Sequence, residues 1–262
     1  MKPSAPHPTA FNRDGVVIVG DLWIDQSLKS ARAPFEGIDF SNAELVILAG
    51  DIANALFLSM ASALRAVESV IDLSKVYVIL GERDYLGHAL NEDDRFARNV
   101  RGLGANWAQK RVIIKGTKRY LCCTLWAAFK IQVTDPVQVN LTMSMLYREL
   151  KLFKMFENNT LRQATLSDVQ LLHKDHLNWL RSELAKPFDG DTIVVTHHAP
   201  CFDALAEGTP LPLLYASDLS ALAREYAPFE WNFGHTLRPS DFIKDGVRYR
   251  NVSLTVDDDW ID

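Results

Sequence analysis

The chain has 262 residues, of which 48% are hydrophobic and 23% charged, and its formal net charge is −5. That length fits one large α/β domain or two small ones, with enough apolar residues for a sizeable core. The acidic balance, with a pI near 5.8, argues against long nucleic acid as a partner, because a phosphate backbone is gripped by clustered Lys and Arg; small phosphorylated ligands stay open.

The opening MKPSAPHPTAFNRD, residues 1–14, has prolines and a histidine where a secretion signal needs an apolar stretch. It reads as a flexible lead-in, with the cytoplasm as the expected location. No apolar run approaches the ~20 residues of a membrane helix, so no membrane partner is expected. The three cysteines, Cys122, Cys123 and Cys201, suit neither a disulfide framework nor a C-x-x-C metal site. Buried free thiols in a reducing compartment are the plain reading.

In chain order, strand-like runs appear at GVVIVGDLW (15–23), ELVILAGDIAN (44–54), VYVILGERD (76–84), RVIIKG and RYLCCTLW (111–126), TIVVTHHAP (192–200), EWNFGHT (230–236) and RYRNVSLTV (248–256). The early runs are continuously apolar, as strands covered on both faces are. Helical spacing is expected over 55–73 and 217–226, giving βαβ units and a parallel sheet. Between 127 and 186 the pattern turns largely helical, over 139–156 and 166–184, with ENNTLRQAT (157–165) as the break. This insertion is expected to lie over the rim of a cleft. His173 and His176 share a face of its second helix, and an exposed amphipathic helix is the expectation there rather than a second metal site.

Ligands of open α/β sheets sit beyond the carboxyl ends of the strands. The residues delivered there are Asp21; Asp51, with Asn54 close behind; Glu82, Arg83 and Asp84; His197 and His198; and His235. Each has a plain alternative as turn former, helix cap or packing residue. Together, carboxylates and imidazoles from separate strand ends suit a divalent cation, and mixed oxygen and nitrogen ligands suit Mn, Fe, Zn or Co better than Ca.

The order Asp…Gly-Asp…Gly-x-x-Asp…His…Gly-His resembles the calcineurin-like metallophosphoesterases, whose pattern is D-x-H, G-D-x-x-D, G-N-H-[DE], a later H, then G-H-x-H. The resemblance runs from about Val16 to Val256. It implies one domain over the whole chain, a two-sheet αββα sandwich, a dinuclear centre at the strand ends, and hydrolysis of phosphate mono- or diesters. In such sites the metals supply the attacking hydroxide and stabilise phosphoryl charge.

Residue by residue, Asp21 matches the aspartate of D-x-H, but Trp23 stands at its histidine. Asp51 matches the bridging aspartate, and Asn54 the second aspartate of that motif. Glu82 replaces the asparagine ligand and Arg83 the catalytic histidine, while Asp84 fits the acidic position. His197 matches the later histidine, with His198 beside it as an accessory. His235 matches the first histidine of the last motif, and Leu237 replaces the second. Trp23 and Leu237 cannot ligate, so one half-site keeps only Asp21 and Asp51. The other keeps Asp51, His197 and His235, with Glu82 as a hard ligand. The resemblance thus implies at most one divalent cation, with Arg83 and Asp84 in the catalytic places. Arg83 has three open roles: pairing with Asp21, clamping a phosphate, or an ion pair with Glu82. The functional expectations are a divergent phosphoesterase acting on a small phosphorylated molecule, an inactive relative that binds such a ligand or a protein partner, or a structural relic.

Overall fold

A computed structural model describes residues 11–25, 35, 38–56, 58–130, 135–209, 211–236 and 239–254. The expected two-sheet sandwich is what the chain forms. The first sheet runs β1 (Phe11–Arg13), β2 (Val16–Val19), β3 (Leu45–Ala49), β4 (Val76–Ile79), β5 (Asn106–Trp107) in spatial order, parallel from β2 onward. The second joins β6 (Arg111–Lys115), β7 (Lys118–Cys123), β10 (Asp191–Thr196), β11 (Glu230–Phe233), β12 (Asp241–Lys244) and β13 (Val247–Asn251). Its order is β12-β13-β11-β10-β7-β6, with a parallel centre and antiparallel edges.

The continuous apolar runs have a direct cause. In β3, Leu45, Ile47 and Ala49 enter the core between the sheets, while Val46 and Leu48 face the outer core. Side chains alternate across a strand, so a strand covered on both faces needs apolar residues at every position. Helices α1 (Met60–Glu68) and α2 (Asp93–Gly102) cover the first sheet through Leu64, Val67, Phe96 and Val100.

The segment between β7 and β10 holds α3 (Pro136–Leu150), a hairpin of β8 (Lys154–Glu157) and β9 (Thr160–Gln163), and α4 (Leu166–Leu184). The expected helix over 139–156 therefore stops at Leu150, and the expected break at 157–165 is mostly strand. The cause is local: Asn158 and Asn159 both take positive φ, 50° and 62°, the geometry of a two-residue hairpin turn that asparagine tolerates. The hairpin also docks: Leu90 N–H donates to the Lys154 carbonyl at 2.9 Å, and the Asn91 amide bonds the Phe156 backbone in both directions. Helix α4 starts at a capping box, Thr165 with Asp168. With α5 (Ser220–Tyr226), α4 covers the outer face of the second sheet through Leu180, Leu184 and Leu222. No helix among the described residues is long and apolar enough to cross a membrane.

Candidate metal centre and its cavity

Four strands deliver the central residues. Asp51 follows β3, Glu82 opens a 3-10 helix (Glu82–Tyr85) after β4, His197 follows β10, and His235 lies just beyond β11. One ligand atom from each of Asp51, Glu82, His197 and His235 lies within 4.8 Å of all the others. Glycine makes this approach possible. A Cβ on Gly50 would come within 2.3 Å of His197 Nδ1, and one on Gly81 within 2.2 Å of Asp51 Oδ1. Asp21, Asp51 and His235 themselves sit at positive φ, 53°, 50° and 65°, a conformation that costs a non-glycine residue about 1 kcal/mol or more. Strain of this kind persists where surrounding contacts over-determine the backbone.

His197 is fully buried, and its Nδ1 lies 2.9 Å from the Ala49 carbonyl. A carbonyl only accepts, so Nδ1 carries the proton and Nε2 is turned to the cluster. Nε2 is 2.7 Å from Glu82 Oε2 and 3.6 Å from Asp51 Oδ1, and Glu82 Oε1 is 3.2 Å from His235 Nδ1. Burial pushes His197 down, but the Asp51 and Glu82 carboxylates outweigh it and hold the imidazole well above its usual range. Burial likewise raises Glu82, yet His235 and His197 hold it well below the carboxylate range. Asp51 is pushed well above that range by burial and by Glu82. Its Oδ1 accepts from the Arg83 N–H at 3.0 Å, while its buried Oδ2 has no hydrogen-bond partner among the described residues. An orphaned buried carboxylate oxygen beside two imidazoles fits a cation ligand.

The other strand-end residues are placed differently. Asp21 Oδ2 accepts from the His235 N–H at 2.9 Å and from Ser253 Oγ at 2.7 Å, and its Oδ1 is buried and unpartnered among the described residues. Asp21 thus lines the cavity beside the four-residue cluster. Arg83 lies 4.8 Å above the Trp23 ring, with Nε 3.9 Å from Glu82 Oε1 and a side chain 40% exposed. Asp84 accepts from the N–H groups of Ile52, Ala53 and Gly81 at 3.1, 3.3 and 2.9 Å, and burial pushes its carboxyl up to about 7 against those donors. Its side chain does not line the cavity. Asn54 is a turn former: its Oδ1 accepts from the Leu56 N–H at 3.1 Å. His198 is buried between His235 and Trp126, at 4.5 and 5.6 Å between ring centres, and burial pushes its pKa well below the usual value. Leu237 lies outside the described residues.

Asp51, Glu82 and His235 of the cluster open, with Arg83, into a cavity of about 220 Å3. Leu150 of α3 and Val169 of α4 also line it, so the insertion lies at the rim. Sequence reasoning missed Trp126, Phe153 and Tyr215 in that lining, because nothing local to them signals a site. It also put His173 and His176 on an exposed face. Both are buried, on the stripe Val169, His173, His176, Leu180, Leu184 that α4 turns inward.

No protein-family model matches the sequence, and no curated protein matches it. Solved structures do. The phosphopantetheinyl hydrolase PptH of Mycobacterium tuberculosis superposes with a TM-score of 0.61 over 92% of this chain and 89% of its own, at 13% identity. TT1561 of Thermus thermophilus superposes with a TM-score of 0.52 over 90% and 87%, at 12% identity. At these identities the likeness is one of fold.

Proposed function

We propose that this chain, which has the calcineurin-like metallophosphoesterase fold, hydrolyses the phosphate mono- or diester of a small molecule with a single divalent cation. The observation that carries the reading is the convergence of Asp51, Glu82, His197 and His235, ligand atoms within 4.8 Å, around an unpartnered buried oxygen. Two carboxylates and two imidazoles suit Mn, Fe, Zn or Co. When bound, such a cation supplies Lewis-acid polarisation of a phosphoryl oxygen and an acidified water.

The chain's own residues supply the rest. Arg83, braced on Trp23 and partly exposed, offers a planar fork to two phosphoryl oxygens and takes the place of a second positive charge. Asp21 fixes the His235 backbone and thereby its ring. A guanidinium, unlike the histidine whose place Arg83 takes, does not serve as a general acid for a leaving group. Turnover should therefore be slow and fall steeply as the leaving group becomes more basic. Buried free thiols at Cys122, Cys123 and Cys201 fit a reducing compartment, the cytoplasm.

The test is metal titration by calorimetry beside hydrolysis of p-nitrophenyl phosphate and bis(p-nitrophenyl) phosphate. The expected result is one cation per chain, weak turnover, and at least about a tenfold loss of metal affinity in His235→Ala. Two tightly bound cations with brisk turnover, or a His235→Ala variant binding metal like wild type, would overturn it. A second reading, a protein that holds a phosphorylated ligand or a protein partner without hydrolysis, is favoured by one contact pattern. Glu82 Oε2 and Oε1 lie 2.7 Å from His197 Nε2 and 3.2 Å from His235 Nδ1, so the cluster's side chains already partner one another. Phosphate binding with neither metal uptake nor turnover would select it.

A further inference from the structure

Beyond the charged cluster, the cavity has an apolar side. Trp126, Phe129, Leu150, Phe153 and Leu214 all line it. Arg83 is the fixed cation among the described lining residues, and Glu149 adds a carboxylate away from the cluster's sequence motifs. A ligand with a second anionic group would therefore meet Glu149 without a matching cation. A polyol or sugar seated against Trp126, Leu150 and Phe153 would find few partners for its hydroxyls on that side of the cavity.

The wall is held in place by groups with no other evident task. Leu125 and Trp126 are consecutive residues at positive φ, 70° and 57°. His176 Nδ1 accepts from the Leu125 N–H at 3.1 Å, and His173 Nδ1 lies 3.0 Å from both the Leu125 and Trp126 carbonyls, to which it donates. The turn sets the Trp126 ring edge-on to Phe153, at 6.2 Å between centres, and against His198. Bulky residues hold this conformation only where contacts fix it. A wall built from Trp126, after β7, and from Leu150 and Phe153 of the insertion, with its Trp126 turn pinned by buried histidines, is pre-organised, which favours binding of a matching surface.

We infer that the phosphoester taken by this cavity carries one phosphate and a compact apolar organic group, aryl or branched alkyl, seated against Trp126, Leu150 and Phe153, with His173 and His176 as positioning residues for that wall. This rests on the phosphoester reading above and names the class of its organic half.

Calorimetry on the full chain with Mn2+ separates the two, using inorganic phosphate, glycerol phosphate and phenyl phosphate as probes. Phenyl phosphate should bind at least about tenfold tighter than glycerol phosphate, a gap of about 1.4 kcal/mol. Phe153→Ser should narrow that gap, whereas Arg83→Ala should weaken all three ligands. His176→Leu should raise the phenyl phosphate Kd more than the inorganic phosphate Kd, and His176→Asn, which keeps an acceptor for the Leu125 N–H, should restore it. Equal binding of phenyl and glycerol phosphate by wild type overturns the inference while leaving the phosphoester site standing. If none of the three binds, the phosphoester reading falls and this inference falls with it. The wild-type comparison decides the matter even if the wall variants do not fold.

Discussion

Asp84 shows how a motif residue can serve a site from behind it. Its two oxygens take three backbone N–H groups, two from the loop after β3 and one from the loop after β4, and these loops carry Asp51 and Glu82. Asp84→Ala should leave those donors buried and unsatisfied, at about 1–3 kcal/mol each before relaxation. We expect a stability loss of about 3 kcal/mol in urea unfolding together with weakened metal binding; a loss under about 1 kcal/mol would refute this account. At this scale the sequence was informative where an apolar strand ends in charge. Asp51, Glu82, His197 and His235 were all legible that way, since a buried strand gives no reason for such groups at its end. The tie made by Asp84 was not legible, because spacing says nothing about which way a carboxylate turns.

Among the elements, α4 has a property that depends on protons. Burial pushes His176 down to about 3, while its unfolded value is near 6.5. The neutral form is the one folded in, accepting from the Leu125 N–H. Above about pH 6.5 neither state holds the proton; below it the unfolded chain takes up a proton that the folded chain refuses, so stability falls toward pH 3, by up to about 1.4 kcal/mol per unit. His176→Asn should show a shallower decline between pH 6 and 4, measured by urea unfolding at each pH. Coincident slopes for the two proteins would count against it. The hairpin β8–β9 and the inward stripe of α4 were the elements least visible in the sequence. The run LFKMF carries no breaker before Asn158, and histidine on a helix reads as polar until its partners are known.

The whole molecule was visible earliest, because unbroken apolar runs at β2, β3 and β4 call for cover on both faces, and only a layered sheet provides it. That layering places Asp51 and Glu82 on the first sheet, and His197 and His235 on the second. A bound cation would therefore clamp the two sheets together as well as organise the cavity. At a free concentration of 100 times Kd it should add about 2.7 kcal/mol, raising Tm by about 5–10 °C for a domain of this size. Calorimetric melts with Mn2+ and then EDTA check this. Glu82→Ala should lose most of the shift, and an equal shift in wild type and variant would place the cation elsewhere.

Asp21, near the start of the described residues, bonds Ser253 and the His235 backbone, both near their end. On a ribosome, the first sheet emerges with Asp51 and Glu82 already at its edge, but their histidines follow only after the insertion has been made. Closing such distant pairs is slow, because loop entropy is lost before the contacts form. While the insertion is being made, the chain therefore presents an acidic edge with no imidazoles to meet it. The two sheets are joined at this corner only at the moment Asp21 finds Ser253.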